Sequence, residues 1–223
     1  IKALAEIQQE FPIAEFGVLT SYHWYENGNR YLDPALVKKM RGQDLHLALH
    51  VCGSAAHDAA IGEWEKIDNF LSGSLDIFKR VQLNISSRKD NPEYCKIPLV
   101  IGQELIVQQH DVDDMPIYEA TVKKWSESPF PHRDTISVLL DASGGRGIDT
   151  PLRVCPSNGK IGYAGGFNPE NVEEKLTFLM SHVTKGTFWI DMESGVRTDD
   201  WFDIDKVYKV LRTCKPIIEK YQK

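Results

Sequence analysis

The chain alternates short apolar runs with longer amphipathic stretches. Seven apolar runs rich in β-branched residues are typical of buried strands, and they occupy residues 13–20, 45–52, 80–85, 97–105, 135–142, 159–166 and 187–194. Helical spacing covers residues 1–11, 63–73, 116–126, 169–183 and 203–221, and Asp33-Pro34 starts a further helix. Unbroken apolar strands that alternate with helices predict a parallel sheet, because such strands are covered on both faces.

Two α/β architectures fit this order of elements, a doubly wound open sheet and the (β/α)8 TIM barrel. No Gly-x-Gly-x-x-Gly sequence follows the first strand, and no shift in charge or composition marks a second domain. The sequence therefore predicts a single domain over residues 1–223. A helix that opens a barrel chain ordinarily follows a strand, so the barrel interpretation expects a first strand upstream of Ile1.

Composition and charge narrow the class of partner. The formal charge of −6 argues against a nucleic-acid partner. No apolar run approaches the roughly 20 residues that span a bilayer, so we expect no membrane partner. The four cysteines lie tens of residues apart without a Cys-x-x-Cys pair, which predicts neither a structural zinc site nor a disulfide framework. We expect a cytoplasmic protein without metal or cofactor, and the sequence leaves a monomer or a homodimer open.

Candidate chemistry is sought at the carboxyl ends of the strands, where parallel α/β folds place their sites. Asp141 ends the fifth predicted strand, and Gly144, Gly145 and Gly147 follow it. A carboxylate below a flexible loop suits a general acid or base. The equally weighted alternative is that Asp141 caps a turn formed by the glycines.

Two glycine turns follow the last two predicted strands. Gly165-Gly166 allows the backbone to approach an anion closely, and the helix that begins near Pro169 directs its N-terminal dipole toward that point. Ser194-Gly195 follows the last strand. Barrels frequently build a phosphate site from the loops after strands seven and eight together, so the pair of turns predicts a phosphate site.

These motifs, in this order, resemble the phosphoribosylanthranilate isomerase family, barrel enzymes of tryptophan biosynthesis. The similarity covers residues 16–40, 80–84, 139–147, 164–172 and 191–196. LLDASGGRG, AGGFNPENV and DMESGV are its specific segments, whereas the helices match only in pattern. The resemblance implies an Amadori rearrangement, in which N-(5-phosphoribosyl)anthranilate becomes the carboxyphenylamino-deoxyribulose phosphate. The implied partner is thus a small sugar-phosphate substrate.

The resemblance also implies roles for individual residues. Asp141 matches the family's general acid, which protonates the ring oxygen of the ribose, and Gly144 and Gly145 belong to the glycine loop beside the substrate. Arg30 matches the arginine near the anthranilate carboxylate, a role that suits a guanidinium fork. Backbone amides around the two glycine turns would hold the phosphate, at Gly165, Gly166, Ser194 and Gly195.

This chain departs from the family pattern at two substrate-side positions. Asn84, a candidate substrate-binding residue, stands where the family has the histidine of its QLHG motif. Glu193 stands where the family has a serine, and a carboxylate beside a phosphate site is expected to weaken binding of a dianion unless it turns away. The family's base is a cysteine in a K-x-C-G strand, which the barrel interpretation expects upstream of Ile1.

Cys52 is a candidate substitute for that base. It ends the second predicted strand next to Gly53, so its thiolate would face the mouth of the barrel. The alternative, a small buried apolar residue at a strand end, is favoured on the sequence alone. Two other functions stay open beside the isomerase: a phosphate-binding barrel that has lost catalysis, and an isomerase or epimerase for another sugar phosphate.

Overall fold

The computed structural model describes residues 1–22, 30–84, 103–109, 136–143, 146–155 and 159–221. Two compact units divide the chain. The first comprises residues 1–108 and 117–136, and the second comprises residues 109–116 and 137–223. A single domain over residues 1–223 stays a prediction.

The first unit contains a parallel sheet with helices between its strands. In chain order its elements are α1 (Lys2–Glu10), β1 (Phe16–Thr20), α2 (Pro34–Met40), β2 (Leu47–Cys52), α3 (Gly53–Ala60), α4 (Trp64–Phe70), β3 (Arg80–Asn84) and β4 (Glu104–Gln109). The strands pair in the order β1-β2-β3-β4, each parallel to the next. The carboxyl ends of β2 and β3 therefore lie side by side.

The second unit repeats this parallel pattern. Its elements are β5 (Ile136–Asp141), β6 (Lys160–Ala164), α5 (Val172–His182), β7 (Thr187–Ile190), the short strands β8 (Arg197–Thr198) and β9 (Trp201–Phe202), and α6 (Ile204–Tyr221). Strands β5, β6 and β7 are parallel neighbours, and β8 pairs with β9 as an antiparallel hairpin. Every residue of β5 is buried, as its unbroken apolar run predicts.

Several predicted elements are confirmed by their local chemistry. Asp33 caps α2, because its Oδ1 accepts a hydrogen bond from the backbone N–H of Ala35 at 2.8 Å, and Pro34 occupies the first helical position. Helix α1 buries Ile7, one of the residues at helical spacing. The alternation of parallel strands and helices is thus as predicted.

The fourth predicted strand is tested only at its end, because residues 97–102 lie outside the described residues. It was expected over residues 97–105, whereas β4 runs from Glu104 to Gln109. Glutamines at positions 108 and 109 gave this segment a polar pattern, yet both are buried. Gln103, just before the strand, is also buried, and its Nε2 donates to the carbonyls of Leu75 and Phe78 at 2.8 and 2.9 Å.

One further difference concerns a helix, and one predicted helix is not tested. Helix α3 was not predicted, because its Gly-Ser start and eight-residue length give a weak pattern; its alanines nevertheless pack into the core. The helix predicted over residues 116–126 lies outside the described residues. Among the helices that are described, none has the length and apolar character needed to cross a membrane.

Candidate active site

Asp141 is the last residue of β5 and only 4% exposed. Its Oδ1 accepts two hydrogen bonds from Ser143, one from the backbone N–H at 3.1 Å and one from the hydroxyl at 2.7 Å. The same hydroxyl oxygen accepts from the backbone N–H of Gly147 at 3.2 Å. This is the turn-capping geometry that the sequence left open, and it holds the carboxylate in one orientation.

The loop after β5 contacts the turn that follows β7. Gly144 and Gly145 lie outside the described residues. Beyond them, Nε of Arg146 donates to the carbonyl of Ser143 at 2.8 Å. A Cβ on Gly147 would come within 2.6 Å of Oγ of Ser194. The loop after β5 therefore packs directly against the turn that follows β7. Asp141 and the second glycine turn are thus parts of one cluster of residues.

The turn after β6 has a backbone that only glycine adopts without strain. Gly165 and Gly166 have φ values of 137° and 72°. A Cβ on Gly165 would lie 2.5 Å from Oγ1 of Thr150, and one on Gly166 would lie 2.5 Å from the backbone nitrogen of Asp149. Both positive φ and close packing thus require the two glycines that the sequence analysis singled out.

The turns after β6 and β7 also touch each other. A Cβ on Gly195 would overlap the carbonyl oxygen of Phe167, so the two backbones meet without an intervening side chain. The two turns therefore meet through backbone atoms, which is why position 195 requires glycine. Within the described residues, no hydrogen bond uses the backbone N–H of Gly166, Ser194 or Gly195 as its donor.

Lys175 supports the turn after β6 from α5, and the sequence analysis did not identify it. Its ammonium donates to the carbonyl of Gly165 at 2.7 Å and lies 2.6 Å from Oδ1 of Asp149. The amide of Asn171 donates to Oδ2 of Asp149 and to the carbonyl of Gly166. The Lys175 ammonium, followed by this amide, lowers the pKa of Asp149. Together they tie the loop after β5 to the turn after β6.

A second group of candidate residues lies in the first unit, at the ends of β2 and β3. Cys52 and Asn84 are register partners in the parallel pair. The Asn84 amide donates from Nδ2 to Sγ of Cys52 at 3.2 Å, and its Oδ1 accepts from Nε2 of Gln82 at 2.7 Å. Gln82 thus orients the amide, and the amide presents a donor to the sulfur. The same sulfur lies 3.9 Å from the carbonyl oxygen of His50, to which its thiol donates.

The remaining candidates of the first unit occupy the expected elements. His50 shares the strand face of Cys52, and its ring packs so closely on Gly17 that a Cβ there would lie 2.9 Å from Nε2. Arg30 is half-buried in the segment between β1 and α2. Within the described ranges, no group of three or more His, Cys, Asp or Glu residues is arranged to hold a metal ion.

Solved structures with the same fold identify the class of protein. A phosphoribosyl anthranilate isomerase from Thermus thermophilus is similar with a TM-score of 0.59 and 16% identity, over 97% of this chain and 93% of that one. TrpF from Jonesia denitrificans has a TM-score of 0.53 and 15% identity, over 96% and 92% of the two chains. The likeness shows the fold, and this chain is a (β/α)8-barrel protein.

A third structure is a phosphoribosyl anthranilate isomerase in complex with reduced 1-(o-carboxyphenylamino)-1-deoxyribulose 5-phosphate. It has a TM-score of 0.52 and 15% identity, over 91% of this chain and 87% of its own. The family model of N-(5'-phosphoribosyl)anthranilate isomerase matches residues 105–213, whereas no curated protein matches the chain. Residues 105–213, just under half of the chain, are thus similar to this isomerase family. The resemblance of its strand-end motifs is thereby confirmed.

Proposed function

We propose that this protein converts N-(5-phosphoribosyl)anthranilate into the carboxyphenylamino-deoxyribulose phosphate by an Amadori rearrangement. The observation that carries the proposal is the cluster at the ends of β5, β6 and β7. There the buried, oriented carboxylate of Asp141 and the two glycine turns are joined by the packing of Gly147 on Ser194. An acid beside an anion-binding backbone is what an aminoaldose phosphate needs.

In the proposed reaction, Asp141 acts as the general acid. It donates a proton to the ring oxygen of the ribose while the bond between that oxygen and C1 breaks, which leaves an iminium at C1. A base then removes the proton from C2 and leaves an enolamine. The keto product forms when C1 gains a proton and the hydroxyl on C2 loses its proton. Cys52 is our candidate for the base, because Asn84 directs its amide at the sulfur.

The other site residues are proposed to bind the two anionic ends of the substrate. The backbone N–H groups around Gly165, Gly166, Ser194 and Gly195 would hold the phosphate. Arg30 would contact the anthranilate carboxylate through its guanidinium group. Gly144 and Gly145 would allow the loop beyond Asp141 to approach the substrate closely. The proposed partner is thus one small molecule with an anion at each end.

The test is turnover of phosphoribosylanthranilate by the wild-type chain, followed as the loss of anthranilate fluorescence. We expect turnover, and we expect Arg30→Ala to raise KM at least tenfold for this substrate but not for a phosphoribosylamine without the carboxylate. Arg41→Ala is the matched control, because Arg41 pairs with Asp76 on the surface of the first unit. No turnover by the wild-type protein would rule out the isomerase.

A phosphate-binding barrel without catalysis is the second candidate, and Asn84 favours it. Its amide occupies the position of the family's histidine, and both ends of that amide are engaged by Gln82 and Cys52. Calorimetry with ribose 5-phosphate, combined with the turnover assay, separates the two candidates. Binding without turnover supports this second function, whereas binding with turnover supports the isomerase.

A further inference from the structure

The carboxylate of Glu193 stands immediately before the second glycine turn of the proposed phosphate site. Glu193 is the chain neighbour of Ser194, and neighbouring Cα atoms are only about 3.8 Å apart. A negative charge so close to bound phosphate opposes binding of a dianion, because repulsion between like charges grows as the distance and the effective dielectric constant fall. The chain needs a means of offsetting this charge if phosphate binds here.

Arg197 is placed to provide that offset. Its Nε lies 4.0 Å from Oε1 of Glu193, and the two side chains are only 11% and 33% exposed. Both charges are therefore partly removed from water, where a pair interacts more strongly than on an open surface. The carboxylate of Glu193 thus faces the guanidinium of Arg197 in the segment that follows β7.

The position of Arg197 is held by the hairpin that follows. Arg197 lies in β8, paired in register with Phe202 of β9. Its Nη1 donates to the carbonyl of Asp200 at 2.7 Å, and Lys206 donates from Nζ to the carbonyl of Arg197 at 2.6 Å. These contacts keep the guanidinium beside Glu193, so it does not turn out into the solvent.

We propose that Glu193 and Arg197 act as one charge-compensated unit, in which Arg197 is a specificity-determining residue that keeps the turn at Ser194-Gly195 able to accept a phosphate dianion. The inference rests on the proposed function, since it assumes that this turn binds phosphate. The pair also accounts for Glu193 at the position where the family has a serine. A carboxylate paired with Arg197 adds no net charge to the turn, and neither does a serine.

The test is a double-mutant cycle in which ribose 5-phosphate is titrated calorimetrically into the full chain. Arg197→Gln should weaken the Kd roughly tenfold, because the carboxylate is then uncompensated beside the phosphate. Glu193→Gln should tighten the Kd by a few-fold, since it leaves the positive charge unopposed. The double variant should return to within about twofold of wild type, which a loss of folding would not produce.

The controls separate this inference from the proposed function. Arg41→Gln removes an arginine from an exposed ion pair with Asp76 in the first unit, and it should leave the Kd unchanged. If the wild-type chain binds ribose 5-phosphate but Arg197→Gln binds it equally well, the compensated pair is wrong and the phosphate site stands. If the double variant binds as weakly as Arg197→Gln, the pair is again wrong. If the wild-type chain does not bind, the phosphate site itself is wrong.

Discussion

The two groups of candidate residues are built in different ways. At the ends of β6 and β7, in the second unit, the geometry belongs to the backbone, because Gly166 and Gly195 allow contacts that a Cβ would prevent. At the ends of β2 and β3, in the first unit, the geometry belongs to side chains, because the Asn84 amide bridges Gln82 and Cys52. One group depends on the absence of side chains and the other on their identity.

This difference explains which parts of the site follow the family pattern. Turns that pack backbone against backbone tolerate little change, since any residue larger than glycine at positions 166 and 195 collides with its neighbours. The family model accordingly matches residues 105–213, which include all three glycine motifs. A side-chain network can exchange one hydrogen-bonding group for another while its register is kept, as the Asn84 amide does beside Cys52.

The largest expected effect is on Asp141, the side chain at the end of β5 that lies in the same unit as the glycine turns. Asp141→Asn should lower kcat by about 10² to 10⁴, the usual contribution of a general acid, with little change in KM. The fluorescence assay with phosphoribosylanthranilate measures both constants. Asp76→Asn is the control, because Asp76 lies on the surface of the first unit. Full activity of Asp141→Asn would show that Asp141 is not the general acid.

The backbone half of the comparison is tested by two glycines with the same φ. Gly166 and Gly73 have φ values of 72° and 70°, but a Cβ on Gly166 collides with Asp149 and one on Gly73 meets nothing within 4 Å. Both alanine variants carry the left-handed strain of about 1–2 kcal/mol, and Gly166→Ala adds an overpacking cost of about 1–3 kcal/mol. Urea unfolding measures the difference, and ribose 5-phosphate affinity should fall only in Gly166→Ala. Equal losses in both variants would refute the steric argument.

The side-chain half is tested by removing the donor to the sulfur. Asn84→Leu keeps the branched shape of the side chain but leaves Sγ of Cys52 without the amide hydrogen bond, so we expect kcat to fall roughly tenfold. Asn69→Leu, on the exposed side of α4, is the matched control. Steady-state kinetics of both variants decide the point. A kcat unchanged by Asn84→Leu would mean that Cys52 takes no part in the reaction.

The smallest expected effect separates two cysteines without any mutation. Cys214 is 4% exposed, and burial raises its pKa to about 11. At pH 8 its thiolate fraction is therefore about one in a thousand. Cys52 is half-buried and accepts the Asn84 hydrogen bond, so iodoacetamide should modify Cys52 well before Cys214. Peptide mass spectrometry measures the order, and prior labelling of Cys214 would contradict it.

The secondary structure shows how far local patterns reach. The Asp33-Pro34 start of α2 and the unbroken apolar run of β5 are local signals, and both were predicted correctly. Strand β4 extends past the predicted end at residue 105, because Gln108 and Gln109 are polar in the sequence yet buried in the fold. Gln103, just before the strand, is buried because it donates to the carbonyls of Leu75 and Phe78. A polar residue in the core has a local pattern like that of a loop residue, and only its tertiary partner distinguishes the two.

The sequence by itself determined the parallel strand–helix order, the position of the acidic strand end and the glycine turns, because each depends on residues that are neighbours in the chain. Only the tertiary structure decided the partners across loops and strands. Lys175 with Asp149, Asn84 with Cys52, and the facing of Glu193 toward Arg197 are such partners. Hydrogen bonds and ion pairs form between atoms a few ångströms apart, and folding sets that distance independently of separation along the chain.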